Sequence, residues 1–160
     1  MISFDTVNGC FNYRTAAAVV HDAHVLLCRE ADGDSWFLPG GRCEMMESSQ
    51  VAVKRELREE LGAEGTVERL LWVVENFFVF NKRRFHEIGL YFLVSLPIGS
   101  PLLDKTQSIA FREAIGIDLE ARWFRLTEVP ATNLQPAFLR TELSELPEVP
   151  RHVVFDEVGR

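Results

Sequence analysis

Three glutamates, Glu56, Glu59 and Glu60, fall close together in residues 41–63, GRCEMMESSQVAVKRELREELGA. On a helix, positions i, i+3 and i+4 share one side, so like charges are stacked there. Each such pair costs a helix about 0.2–0.5 kcal/mol. A cation bound to that side reverses the sign, and a hard divalent ion such as Mg²⁺ prefers oxygen ligands. Just upstream, Leu38-Pro39-Gly40-Gly41 specifies a tight backbone path with little side chain in the way, which lets main-chain carbonyls approach a ligand. Alone, each feature has an ordinary reading: a plain turn, and a solvated acidic helix partnered by Lys54, Arg55 and Arg58. Their spacing joins them into one candidate cation site.

The helix that must position these carboxylates has clear ends. Ser48 or Ser49 suits the N-cap, and Gly62 stands where a terminating glycine belongs. Val53, Leu57 and Leu61 recur at i, i+4 and i+8, a narrow apolar stripe that needs a core. Glu56 and Glu60 border that stripe, and Glu59 lies further round.

Around the helix the chain reads mostly as strands. Residues 15–20 and 25–29 form a hairpin turning at His21-Asp22-Ala23-His24, with both histidines read as exposed turn residues. Residues 36–38 make a short strand feeding the Pro-Gly-Gly loop. Residues 67–80 and 85–96 are long β-rich runs separated by Asn81-Lys82-Arg83-Arg84. In the second run Ile88, Leu90, Phe92 and Val94 alternate with Phe85, Tyr91 and Leu93, so both faces must be covered. Glu75 and Glu87 interrupt these runs and are candidate pocket residues. Residues 97–117 read as a turn-rich excursion and 119–126 as a strand around Trp123-Phe124. Pro136 fits the first turn of a final helix, with Phe138, Leu139, Leu143 and Leu146 as its apolar positions. Residues 151–156 suit a terminal strand.

The pattern Gly-x5-Glu-x7-Arg-Glu-hydrophobic-x-Glu-Glu-x-Gly-hydrophobic is filled by Gly41, Glu47, Arg55, Glu56, Leu57, Glu59, Glu60, Gly62 and Ala63. It resembles the signature of the Nudix (MutT-like) hydrolases. The resemblance implies an α/β protein with a mixed β-sheet sandwiched between helices (α/β/α), the box at 41–63 forming loop-helix-loop within a single domain, 1–160. It implies hydrolysis of a pyrophosphate bond in a nucleoside di- or triphosphate derivative, by attack of water on phosphorus. Mg²⁺ or Mn²⁺ would be held by Glu56, Glu59, Glu60 and the carbonyl of Gly40. Arg55 would orient a box glutamate and Glu47 would support it. A glutamate outside the box sometimes acts as base, and Glu120 is the candidate here. Arg29 is the basic residue best placed to meet phosphates, and Trp36, Phe78 and Phe80 could stack on a base. A proline some 16 residues beyond the box, which marks ADP-ribose pyrophosphatases, is replaced by Phe77-Phe78-Val79-Phe80. A nucleoside triphosphate, a dinucleotide and a nucleotide sugar stay open as substrates. The alternative of another class is a non-catalytic nucleotide-binding sensor, against which the complete set of box carboxylates argues.

Composition bounds the partners. The 160 residues carry a net charge of −7, which argues against a general nucleic-acid surface and for a small-molecule nucleotide approached through bound metal. No run approaches a membrane span, and residues 1–14 lack the pattern of a signal peptide. Cys10, Cys28 and Cys43 are odd in number and without metal-ligand spacing, which suits reduced thiols and a cytoplasmic location. Cys43 sits at a free position of the box and is given no role. A homodimer is left open.

Overall fold

A computed structural model describes residues 1–112 and 116–159. One mixed sheet organises them, with central strand order β7-β8-β3-β2-β6-β5-β9. Its strands are β1 (Ser3–Thr6), β2 (Gly9–His21), β3 (His24–Glu30), β4 (Gly40–Arg42), β5 (Thr66–Phe80), β6 (Arg83–Ser95), β7 (Ile109–Arg112), β8 (Asp118–Arg125) and β9 (Arg151–Asp156). The helices are α1 (Ser49–Leu61) and the single turn α2 (Leu139–Glu142), joined by two short 3₁₀ segments, Pro101–Leu103 and Val129–Ala131.

Strand alternation divides the core in two. Ala17, Val19, Leu26, Phe92 and Val94 face α1, burying its stripe of Val53, Leu57 and Leu61. Full burial of such a side chain stabilises by roughly 1.5–3 kcal/mol. On the opposite face Ala16, Ala18, Leu27, Trp72 and Tyr91 pack under Val129, Leu134, Leu139 and Leu143. The sheet is therefore covered on both sides, as expected for an α/β/α sandwich. Among the described residues no helix is long and apolar enough to cross a membrane.

Two expectations are corrected by this packing. The final helix is one turn, not a helix running from Pro136 through Leu146, because several residues here bond i→i+3: Leu139 N–H to Pro136 O, Arg140 N–H to Ala137 O and Thr141 N–H to Phe138 O. The apolar spacing reflects burial under Trp72 and Tyr91, not a helix. The excursion at 97–117 contains a strand, β7, paired with β8 from Ile109↔Ala121 to Arg112↔Asp118. Residues 113–115 of that excursion lie outside the described residues.

Candidate active site

Strands β2 and β3 pair only at their closed end, Val20↔Val25 and His21↔His24. They then splay, and the Trp36-to-Arg42 segment fills the gap. Phe37 bridges Cys28 on one side, while Gly40, Gly41 and Arg42 pair with Ala16, Thr15 and Arg14 on the other. Ala17 N–H donates to Pro39 O at 2.8 Å. Gly40 adopts φ 143°, and a Cβ there would lie 2.3 Å from the Thr15 carbonyl oxygen. Only glycine can lie so close to a neighbouring backbone in this conformation.

The same loop receives α1. Ser48 caps the helix by accepting from Val51 N–H, and Gly62 closes it by donating to Arg58 O. The Glu56 carboxylate presses against Gly41, where an added Cβ would lie 2.5 Å from its carboxyl carbon. Glu60, only 8 % exposed, accepts from Gly40 N–H at 3.3 Å. The Gly40 carbonyl meanwhile accepts from Arg14 Nη2 at 3.2 Å. One residue of the loop thus links strand β2 to the buried carboxylate of α1.

Arg55 ties the box together. It donates to both oxygens of Glu47 at 2.9 and 3.0 Å, to Glu56 at 2.7 Å, to Glu59 at 3.2 Å and to the Arg42 carbonyl at 3.1 Å. This planar fork saturates several acceptors at once. The hydrogen bonds to Glu47 and Glu56 outweigh burial and raise the Arg55 pKa. The Arg55 hydrogen bond likewise leads in holding the Glu47 carboxyl below its ordinary value, against burial. For Arg14, burial alone would lower the pKa, but the summed charges of Glu87, Tyr91, Glu60 and Glu56 raise it. Cys43 is fully buried; burial, then the Glu47 charge, pushes its thiol up to about 11. It is no nucleophile near neutral pH.

The structure thus brings Gly40, Glu47, Arg55, Glu56, Glu59 and Glu60 together around one loop and one helix. Glu59 stands at the rim, its side chain 60 % exposed. Among the described residues no three Asp, Glu, His or Cys side chains converge closely enough to hold a metal ion. Arg29, Glu120 and Trp36 form a separate cluster. Arg29 and Glu120 face each other across β3 and β8 and are ion-paired. Ser108 Oγ also donates to Glu120 at 3.2 Å, and Arg29 lies 4.8 Å over the Trp36 ring. Glu120 is thus engaged by Arg29 and Ser108, and Arg29 carries a carboxylate partner, away from the loop and helix that hold the other candidates. Trp36 is 8 % exposed and packs edge-on to Phe124 at 4.6 Å, so it is core, not a stacking platform. Phe78 stacks on Phe85 at 4.9 Å, on the strands β5 and β6.

Two residues escaped the sequence reading in part. Arg14 was not singled out; its signal is an arginine inside the otherwise inward-facing alternation of β2, on the same face as Ala16 and Ala18. Of the two interrupting glutamates, Glu75 pairs with His152 at 2.9 Å. Glu87 is buried, at 6 % exposure, and its charge acts on Arg14.

Comparison with known proteins identifies the family and the fold. Residues 12–142 match the NUDIX domain family. A MutT-like protein of Streptomyces ambofaciens is 40 % identical over 58 residues, 36 % of this chain and 38 % of that protein. A CTP pyrophosphohydrolase of Escherichia coli is 46 % identical over 56 residues, 32 % of this chain and 42 % of that one. The matches thus span less than half the length of these relatives. Among solved structures, a NUDIX hydrolase from Nitrosomonas europaea superposes with a TM-score of 0.63 at 20 % identity, covering 96 % of this chain and 82 % of its own. That likeness shows the fold.

Proposed function

This chain belongs to the NUDIX family, and from that premise we propose that it hydrolyses the pyrophosphate bond of a nucleoside di- or triphosphate, using a divalent cation. The observation that carries this reading is the Gly40 residue, held by Glu60 at its N–H and approached by Arg14 at its carbonyl, with Glu56 packed on the neighbouring Gly41. The donor set is all oxygen, which fits Mg²⁺ or Mn²⁺. The lack of room at Gly41 keeps the loop carbonyls beside the helix carboxylates.

Glu56, Glu60 and the Gly40 carbonyl would hold the cation, with the rim residue Glu59 turning in to join them, since no three carboxylates converge among the described residues. When bound, it would lower the pKa of a coordinated water and clamp phosphate oxygens. The chain's own residues supply the rest. Arg55 fixes the rotamer of Glu56 and, through Glu47, anchors the loop that precedes the helix. Arg14, poised between the loop carbonyl and the acidic groups, offers a positive charge to an arriving phosphate. Glu60 is buried and Glu56 half-buried, which limits how far bulk water screens them. A carboxylate of this set accepts the proton of the attacking water.

The relative that acts on CTP supports a nucleoside triphosphate as substrate. The test is a panel of nucleoside di- and triphosphates and their conjugates with Mg²⁺ or Mn²⁺, with products separated by chromatography. Chelation should abolish turnover and metal add-back restore it. In ¹⁸O-water the label should enter a phosphate-containing product. Undiminished turnover without metal, or label only in a product lacking phosphate, would overturn the proposal. The sensor reading predicts nucleotide binding with no turnover across the whole panel.

A further inference from the structure

A buried acid and a nearby arginine stand unpaired on the sheet face opposite α1. Glu87 is 6 % exposed, and no hydrogen bond or ion pair of its carboxylate forms among the described residues. A buried charge left without a partner is costly. A cation is within reach. On the paired strands β2 and β6, Arg14 stands opposite Gly89 and Asn12 opposite Glu87. Arg14 and Glu87 therefore share a face, one strand across and two residues along. At about 4.8 Å between strands and about 3.3 Å per residue, the two positions are about 8 Å apart, well within the joint reach of their side chains. Gly89 puts no side chain of its own beside Arg14, and the flat Tyr91 ring lies over it, where an added Cβ would come within 2.7 Å of Cε2. Burial lowers the Arg14 pKa, and Glu87 leads the charges that more than offset it. Burial, then the Glu87 charge, raises the Tyr91 hydroxyl pKa, so the phenol stays neutral.

What keeps the pair apart is the loop. Arg14 Nη2 donates to the Gly40 carbonyl at 3.2 Å, and its guanidinium lies 5.8 Å over the Phe37 ring. That carbonyl is the main-chain oxygen proposed to meet the cation. The charges of Glu60 and Glu56 act on Arg14 as well, so the arginine draws on the same acidic groups. A guanidinium and a divalent ion at one carbonyl repel each other strongly where water is scarce. Seating the cation therefore means moving Arg14, and Glu87 is an open acceptor within its reach.

We infer that Glu87 is a positioning residue: Arg14 has two seats, the Gly40 carbonyl and the Glu87 carboxylate, and a cation arriving at the loop drives it from the first to the second. This rests on the proposed cation site. On the second seat the planar fork meets a carboxylate in paired, charge-assisted hydrogen bonds, Glu87 gains the partner it lacks, and the Gly40 carbonyl is released to the cation. A guanidinium carries five N–H donors, so those not held by Glu87 stay available for phosphate oxygens. The cation and the phosphate-binding arginine are then coupled in both directions, as linkage requires.

Calorimetric titration with Mn²⁺, without nucleotide, makes the test in four proteins: wild type, Arg14→Gln, Glu87→Gln and the double variant. Arg14→Gln removes the competitor and should tighten Mn²⁺ binding about tenfold, and Glu87→Gln removes the second seat and should weaken it about tenfold. With no arginine to receive, Glu87→Gln should matter by less than about threefold in the Arg14→Gln background. Fixed charges acting independently would instead give a double variant equal to the product of the two singles, and that result would overturn the inference. So would weaker binding by Arg14→Gln. Melting curves confirm that each variant is folded. A crystal structure of the wild-type protein with Mn²⁺ bound needs no variant, and should show Arg14 off the Gly40 carbonyl and hydrogen-bonded to Glu87. Mn²⁺ bound at the box with Arg14 still on Gly40 would overturn the inference and leave the metal-dependent hydrolase reading standing. Failure of both wild type and Arg14→Gln to bind Mn²⁺ would remove the cation site itself, and the inference with it.

Discussion

The two hairpins of the sheet are built from similar β-rich sequence and end up doing opposite things. β5 and β6 stay paired from Thr66↔Ser95 to Phe80↔Arg83, with two local shifts near Arg69 and Trp72. β2 and β3 part after their turn and admit the segment that carries Gly40. The closed hairpin supplies a rigid wall. The open one supplies backbone groups that no strand consumes, and these are what the glutamates of α1 and Arg14 meet. In the proposed mechanism, catalytic geometry arises where a sheet is prevented from closing, and the wedge that prevents it is the loop proposed to meet the ligand.

The largest effect should come from removing the wedge's fit. Gly40→Ala puts a Cβ 2.3 Å from Thr15 O and 2.8 Å from Ala16 Cα at a positive φ. Chemical denaturation should show a loss of about 3 kcal/mol or more. A variant as stable as the parent would mean the segment is not tightly seated between the strands. Next in size is chemistry without folding. Glu60→Gln or Glu56→Gln should cut turnover about a hundredfold or more, while stability in metal-free buffer changes by less than about 1 kcal/mol, since each amide keeps its acceptor oxygen and Arg55 or Gly40 keeps its partner. Full activity in either variant would remove that carboxylate from the mechanism.

Acid should act on the open half more than the closed one. The Glu47 carboxyl is held below its ordinary pKa by Arg55. Its contribution to stability is therefore fully present above the unfolded value of about 4.3 and is lost as pH falls through the lower folded value. Denaturation measured from pH 6 downward should lose stability below about pH 4.3, and Glu47→Gln should flatten that part of the profile. Equal slopes would assign the acid sensitivity elsewhere. The smallest effect belongs to the closed hairpin. Its turn holds Asn81 and Lys82 at φ 51° and 63°, the left-handed pair of a tight two-residue turn. Lys82→Gly should relieve strain and raise stability by about 0.5 kcal/mol with turnover unchanged. A lower melting temperature would show that the lysine side chain contributes more than its backbone costs.

What could be read from the sequence divides along the same line. The box helix was readable to its caps because Ser48, Gly62 and the stripe of Val53, Leu57 and Leu61 are local signals, and the closed hairpin because two long apolar runs flank the polar turn at 81–84. The fates of Arg29, Glu120 and Trp36 were not. An arginine and a glutamate far apart in the chain neutralise each other only because β3 and β8 pair in a particular register, and register is a tertiary fact. Arg14 was invisible for the complementary reason: its neighbours Tyr13 and Thr15 carry no motif, and its role comes from Gly40 arriving beside it. The apolar run from Phe138 to Leu146 misled because burial under Trp72 imposes a spacing close to a helix's own.

The sealed thiol of Cys43 has a use in timing. With a pKa of about 11 and no exposed surface, it presents a thiolate about one time in ten thousand at neutral pH even if solvent reached it. A thiol reagent can modify it only when the segment following Gly40 leaves Tyr13 and Ile2, to which the Cys43 backbone is hydrogen-bonded. The modification rate at Cys43, read peptide by peptide in a mass spectrometer, is then a stopwatch on how often the wedge leaves its slot, and any nucleotide that seats against the loop should slow it.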